Sequence, residues 1–191
     1  MNHTAAAAPA FHEAGRVKVF PAEFRLVTYD AAAIAAVTTE MAELLGVPNP
    51  IKVLVDETTQ LAKMSAEVGE SSDDEITIRV ESGALENTQR FTHFAERAAR
   101  ESIGRMLLRA RDRMRPDFAD IPGDLDLDNA QNAAWDAYCA GRLAQAGIEV
   151  NQQRFRYNYR NRFNFSDAAD TRFDQIWASD GLGWDELTAA P

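Results

Sequence analysis

The stretch "ITIRV", residues 76–80, alternates apolar and polar side chains, which is the pattern of a strand with one buried face. A second stretch, "IKVLV" at 51–55, is rich in β-branched residues and lies between prolines on one side and acidic residues on the other. It predicts a buried strand. Residues 57–68 are ambiguous between helix and strand. The two clear strands predict a small mixed sheet.

Amphipathic helices are predicted on both sides of these strands. Asp30 is a good N-cap for a helix whose apolar residues recur at helical spacing as far as Gly46. The longest helix is predicted over about 90–114, with its apolar residues along one side. Asp128 and Gln131 predict a capping box for a later helix. The sequence therefore predicts an α+β fold in which a small mixed sheet packs against a long helix, with further helices near the C-terminus.

The stretch "RFRYNYRNRFNF", residues 154–165, places aromatic side chains at nearly every second position. This alternation predicts a strand with its rings on one face, because burial of such a face explains the pattern without a ligand. A helix is the alternative, since Phe155, Tyr159 and Phe163 are four residues apart, and an irregular arm is a third possibility. In all three, we expect the rings to point inward and the arginines outward.

The length and composition predict one ordinary globular domain. The chain has 191 residues, of which 46% are hydrophobic and 26% are charged. We expect a flexible tail over 1–15 and a single α+β domain over 16–191. No apolar run approaches the length that a membrane span requires, and the first residues lack the features of a secretory signal. The expected location is therefore cytoplasmic, without a membrane partner.

The charges are unevenly distributed along an acidic chain. The net charge is −10, yet residues 90–115 hold eight arginines against three acidic residues, and residues 151–163 hold four arginines and no acidic residue. Basic segments in so acidic a protein most often find their counter-charges within the same molecule. The acidic remainder would repel a polyanion, so nucleic-acid binding is not the expected function. A polyanion site would use Arg154, Arg156, Arg160 and Arg162.

Known metal and nucleotide motifs are absent from the sequence. Asp124, Asp126 and Asp128 have the spacing of the first ligands of a calcium loop. However, Asn129 stands where that loop needs glycine, and Trp135 stands where it needs a bidentate glutamate. No glycine-rich phosphate loop is present. The aspartates are therefore expected to face the arginine-rich helix, and no metal or other cofactor is predicted.

Candidate nucleophiles and bases are few. Cys139 is the only cysteine, so it cannot form an intrachain disulfide, and its apolar neighbours predict a buried thiol. His93 is the only histidine outside the predicted tail, and it is expected at the exposed start of the long helix. A serine–histidine–acid set cannot be assembled from these residues.

The order of helix, strand, uncertain segment, strand and long helix over residues 30–112 resembles the minimal zincin-like metallopeptidase core. In that family the last helix bears His-Glu-x-x-His, whose two histidines hold zinc while the glutamate deprotonates the bound water. Here the helix contains "AARESIGRML". Glu101 matches the catalytic glutamate, but Arg100 and Gly104 occupy the ligand positions. Neither offers a side-chain lone pair to a metal, so the resemblance implies a degenerate, metal-less site.

The leading functional expectation is a non-catalytic interaction or structural module on a metal-less zincin-like core. Its partner would be an unknown protein or a second copy of the chain. Within the degenerate site, the charge of Arg100 beside Glu101 is hypothesised to replace the metal. Two alternatives remain open: a hydrolase with a non-standard acidic site at Glu101, aided by His93, and a polyanion binder using the four arginines of 154–162.

Overall fold

The computed structural model describes residues 10–71 and 74–191, and in these residues the chain has a mixed α+β fold. The strands are β1 (His12–Ala14), β2 (Val17–Phe20), β3 (Ile51–Asp56), β4 (Met64–Val68), β5 (Ile76–Glu81), β6 (Glu86–Asn87) and β7 (Arg90–Phe94). The helices are α1 (Ala31–Leu44), α2 (Glu96–Arg113), α3 (Asn129–Gln145), α4 (Gln152–Phe163), α5 (Asp167–Ala178) and α6 (Trp184–Thr188). The predicted α+β class is therefore confirmed.

Five strands form one mixed sheet in the order β1-β2-β3-β5-β4, and β6 pairs with β7 in a separate hairpin. Strands β2, β3 and β5 are parallel, whereas β1 and β4 run antiparallel to their neighbours at the two edges. The predicted strands at 51–55 and 76–80 are confirmed as β3 and β5, which lie side by side. The ambiguous segment 57–68 contains β4, which forms one edge of the sheet.

The sheet has two chemically different faces. Val19, Val53 and Ile78 share one row across the parallel strands and are fully buried on the face that we call the inner face. Helices α1 and α2 pack together and against the strands there. The adjacent row contains Lys52 and Thr77, which are half-buried on the opposite, outer face. The alternation that predicted half-buried strands therefore corresponds to one face that is covered by helices and one face that is only half-buried.

The helix ends follow local chemistry at some sites and long-range pairing at others. Asp30 caps α1 as predicted, because its carboxylate accepts the N–H of Ala32 at 2.9 Å. The predicted start of the long helix at residue 90 is wrong, since residues 90–94 form β7 and α2 begins at Glu96. Within β7, Thr92 has a φ of 62°, a left-handed conformation that ends any helical path. The Glu86 carboxylate accepts its N–H and holds the hairpin.

The predicted aromatic strand is also wrong, because residues 152–163 form helix α4. The four-residue spacing determines the structure here: Phe155 and Tyr159 are buried, and Phe163 stacks on Tyr159 with ring centroids 4.3 Å apart. Tyr157, which the alternating pattern would place beside them, is exposed. The helix also brings its arginines to acidic residues of α5 and α2, which a strand in the predicted register would not achieve.

The N-terminal segment is ordered further than the sequence suggests. The predicted flexible tail, 1–15, overlaps β1, whose residues 12–14 pair with β2. Residues 1–9 of that tail lie outside the described part of the chain. One cluster of buried apolar residues extends from Val17 in β2 to Leu187 in α6. None of the helices in the described ranges combines the length and apolarity needed to cross a membrane.

Candidate functional site

Arg100, one of the two ligand positions in the zincin-like resemblance, belongs to an ion-pair network on the surface of α2. Its guanidinium donates to both carboxylate oxygens of Glu40 in α1, with Nε at 3.1 and 3.2 Å and Nη2 at 3.1 Å. It also pairs with Glu96 one turn earlier at 3.2 Å. The hydrogen bonds to Glu40 raise the pKa of Arg100 above its ordinary value. Arg100 therefore joins α1 to α2.

Glu101, the position of the catalytic glutamate in the resemblance, is engaged on a different side of α2. It pairs with Arg154 of α4 and lies 3.9 Å from Arg105, and its side chain is mostly buried. Arg100 contacts α1 while Glu101 contacts α4, and no ion pair joins the two within the described chain. The hypothesis that Arg100 replaces a metal beside Glu101 therefore gains no support from this arrangement.

Gly104, the second ligand position, is a packing residue. A Cβ atom built there would lie 2.8 Å from Cε of Met41 and 2.9 Å from Cδ2 of Leu143. The bare backbone at Gly104 thus lets α1 and α3 approach α2 closely, and a histidine at this position would not fit without moving both neighbours.

His93 is not brought to Glu101. It lies in β7, outside α2, and Nδ1 of its ring contacts the Phe91 carbonyl at 3.0 Å. Among residues 10–71 and 74–191, no hydrogen bond or ion pair joins His93 to Glu101. The same residues contain no group of three or more His, Cys, Asp or Glu side chains placed to hold a metal ion. The two weak catalytic candidates therefore remain separate.

The inner side of α2 carries a buried charge network that the sequence predicts in part. Arg109 lies between Asp124 at 3.3 Å and Asp136 at 2.9 Å, and Arg113 donates to Asp124 at 2.8 Å. Asp124 has no exposed side-chain surface, and Arg109 is 2% exposed. The expectation that the acidic loop faces the arginine-rich helix is thus confirmed at Asp124. Burial alone would raise the pKa of Asp136, but Arg105 and Arg109 lower it below its ordinary value.

A second buried ion pair joins the C-terminal half of α2 to α3. Asp112 accepts hydrogen bonds from both terminal nitrogens of Arg142, at 2.8 and 2.6 Å, and from Nε1 of Trp135 at 2.8 Å. Cys139 lies in the same region, is buried, and carries a free thiol. Burial raises the pKa of Cys139 to about 12, so the thiol stays protonated at neutral pH. The predicted structural role of this cysteine fits these surroundings.

The arginines of α4 are mostly neutralised within the molecule. Arg154 pairs with Glu101, Arg156 with Asp174 and Asp170, and Arg160 with Asp170. Arg162 alone among these four has no ion pair in the described part of the chain. The sequence-based expectation of internal counter-charges holds for the other three, which leaves α4 a weak polyanion surface.

A groove along the free edge of β4 is the feature that the sequence does not predict. Its volume is about 660 Å³, and it lies between the edge strand and the connection from α2 to α3. Val68, Met114 and Ile121 contribute apolar side chains, while Glu70 and Asp126 contribute carboxylates. The groove joins segments about 50 residues apart, so a local pattern could not reveal it.

The backbone of β4 is partly unpaired at this groove. The N–H of Ala66 donates to Asp124 at 2.8 Å, so it points away from β5. Alternate residues of an antiparallel strand point the same way, so Met64 and Val68 also direct their N–H and C=O groups to the free edge. Across the described ranges, those groups of Met64 and Val68 have no hydrogen-bond partner. The edge is therefore closed at Ala66 and open at Met64 and Val68, and its open groups are available to an added strand.

Comparison of the chain with protein-family models, with curated proteins and with solved structures gives no match. The assignment of a function therefore depends on the geometry of these sites.

Proposed function

We propose that the chain is a non-catalytic protein-interaction module that binds an extended segment of a partner along the free edge of β4. The zincin-like resemblance stays a prediction that rests on the order of α1, β3, the edge strand β4, β5 and α2. The ligand positions of that resemblance carry Arg100 and Gly104, which are used for ion pairing and packing. These features favour binding over metal chemistry.

The open backbone of β4 is the observation that carries the proposal. An extended peptide beside β4 would satisfy the free N–H and C=O groups of Met64 and Val68, and main-chain hydrogen bonds of this kind supply affinity in strand addition. The buried carboxylate of Asp124 already holds the centre of the strand and fixes it to α2. The edge is thus preorganised, which lowers the entropic cost of binding.

The charge of the groove indicates the chemistry of the partner. Glu70 and Asp126 line it, and neither has an ion pair in the part of the chain that the structure describes. The cation in its lining, Arg113, is neutralised by Asp124. The groove therefore favours a partner segment that carries lysine or arginine beside apolar residues.

The two alternatives lack a comparable observation. A hydrolase at Glu101 would need a carboxylate free to act as a base, whereas this carboxylate is bound to Arg154. A polyanion binder would need the arginines of α4 to be free, whereas three of the four are paired internally. Both alternatives stay predictions.

Selection from a display library of ten-residue peptides tests the proposal. We expect the selected peptides to be basic. They should bind the Val68→Pro variant at least about tenfold more weakly than the parent chain, because proline removes the outward N–H of residue 68. Val68→Ala shortens the same side chain but keeps that N–H, so it should bind within about threefold of the parent chain. Both variants should unfold at similar temperatures, because residue 68 does not donate to β5.

Titrations of fluorescent peptides measured by anisotropy would provide these affinities. The proposal is wrong if the selected peptides are not basic, or if they bind Val68→Pro as tightly as they bind the parent chain. A library that yields no saturable binder would also contradict it.

A further inference from the structure

A second cavity lies on the outer face of the sheet, away from the helices. Its volume is about 480 Å³, and it is found where β3 and β5 end. Phe20 and Leu54 form apolar walls on this face, and Leu125 borders the cavity although its own side chain is 58% exposed. A mostly apolar concavity at the carboxyl ends of parallel strands is a common position for small ligands.

Two carboxylates stand beside each other at one end of this cavity. Asp56 and Glu81 are direct neighbours across β3 and β5, and both line the cavity. Like charges in this arrangement repel each other. Neither residue forms an ion pair within the described ranges, although Asp56 accepts hydrogen bonds from the N–H and hydroxyl of Thr58 at 2.8 and 2.6 Å. Those bonds lower the pKa of Asp56, so its carboxylate is charged at neutral pH.

The hydroxyl of a mostly buried serine borders the same cavity. Ser65 of β4 is 3% exposed and lines the cavity, and its hydroxyl has no hydrogen-bond partner within residues 10–71 and 74–191. The pairing of Ser65 with Arg79, and of Arg79 with Leu54, places all three residues in one row on the outer face. Since Ser65 keeps only a small exposed surface and lines the cavity, its hydroxyl is available to a ligand there.

We propose that this cavity binds a small organic cation, a primary ammonium group attached to an apolar body. An ammonium has three N–H donors, which the neighbouring carboxylates of Asp56 and Glu81 can accept, and the hydroxyl of Ser65 offers a further polar group in the lining. The apolar body would contact Phe20 and Leu54. The cavity borders the proposed groove and shares Ser65 and Leu125 with it, but the amine would bind the side chains of the outer face, whereas the partner segment would pair with the backbone of β4.

The basic residues near the cavity fit this assignment. Arg79 is paired with Glu67 at 3.2 Å. Lys63 lies opposite Glu81, and the N–H of Glu81 donates to the Lys63 carbonyl at 3.0 Å. The ammonium group of Lys63 has no ion pair in the described chain. The Lys63 side chain is therefore an internal competitor for the two carboxylates, and its removal should strengthen binding.

Titration of the intact chain with 2-phenylethylamine at pH 7.5, followed by NMR chemical shifts, tests the proposal. We expect saturable binding with a Kd on the order of 1 mM, as suits a probe of this size. The uncharged analogue 2-phenylethanol should bind at least about tenfold more weakly, and 3-phenylpropanoate should not saturate, because two carboxylates oppose it.

Variants then assign the binding to the named groups. The double variant Asp56→Asn/Glu81→Gln should weaken amine binding at least about tenfold, and Ser65→Ala should weaken it about threefold. Lys63→Gln should tighten it. Asp185→Asn, which removes a carboxylate of α6 that does not line the cavity, should stay within about twofold of the parent chain.

Three results would overturn the proposal. The first is no saturable amine binding, and the second is equal binding of 3-phenylpropanoate and the amine. The third is unchanged affinity in the double variant while its chemical shifts show an intact fold. Val68→Pro distinguishes this proposal from the one for the groove, because Val68 lines the groove but not the cavity and its replacement should leave amine binding unchanged.

Discussion

Replacement of Asp112 by alanine is expected to lower the free energy of unfolding by about 3–5 kcal/mol, the cost of leaving one partner of a buried ion pair alone. Arg142 is 5% exposed and receives both carboxylate oxygens of Asp112, so its charge would have no counter-ion in α2. The N–H of Trp135 would lose its acceptor as well. Urea denaturation followed by tryptophan fluorescence measures the change.

Asp117→Ala is the matched control for this prediction. Asp117 also pairs with an arginine, Arg115 at 2.6 Å, but its side chain is 42% exposed. The loss of such a surface pair should cost less than about 1 kcal/mol. Equal effects of the two substitutions would show that the buried pair does not hold α2 against α3, contrary to the structure.

Replacement of Gly141 by alanine is expected to lower the free energy of unfolding by about 3 kcal/mol. This value is at the upper end of the destabilisation that extra atoms usually cause in a well-packed core. A Cβ atom at this position would lie 2.2 Å from the carbonyl oxygen of Trp177 and 2.9 Å from its Cα. These are backbone atoms, so α5 would have to move away from α3. The clash outweighs the gain of about 1 kcal/mol that alanine normally brings to a helix interior.

Gly123→Ala is the control for the second prediction. A Cβ atom there would meet only the end of the Asp126 side chain, at 3.3 Å, and that side chain can rotate away. Its effect should stay within about 0.5 kcal/mol. Thermal and urea unfolding of both variants measure the difference. A stable Gly141→Ala protein would contradict the close contact between α3 and α5.

The features predicted correctly from the sequence are those that local chemistry determines. The alternation in 76–80 identifies β5 because one face of this strand is buried and the other is not. Asp30 caps α1 through its own carboxylate. Asp128 and Gln131 form the predicted capping box of α3, with hydrogen bonds in both directions. Each of these signals lies within a few residues of the element that it defines.

The features predicted incorrectly depend on distant partners. The aromatic residues of 154–165 fit both the two-residue period of a strand and the four-residue spacing of a helix. Acidic residues of α5 favour the helix, because they pair with Arg156 and Arg160. Residues 90–94 leave the helical path because β7 pairs with β6. The strand β4 has no strong pattern of its own, since its position depends on its pairing with β5 and on Asp124.

The candidate site also contains features that the sequence predicts and features that depend on distant partners. The zincin-like resemblance can be proposed from the sequence because its three motif positions lie on one helix, and neither the Arg100 side chain nor Gly104 offers a metal ligand. The separate roles of Arg100, Glu101 and Gly104 cannot be found in this way, because each contacts a different part of the fold. The groove and the outer cavity likewise require the sheet pairing to be known.

Zinc titration of the chelator-treated chain by calorimetry tests most directly the claim that α2 serves packing and ion pairing rather than metal chemistry. We expect no stoichiometric zinc site with a Kd below about 1 µM. Zinc sites of proteins bind the metal far more tightly than this limit. One equivalent of tightly bound zinc that disappears in Glu101→Ala would contradict it.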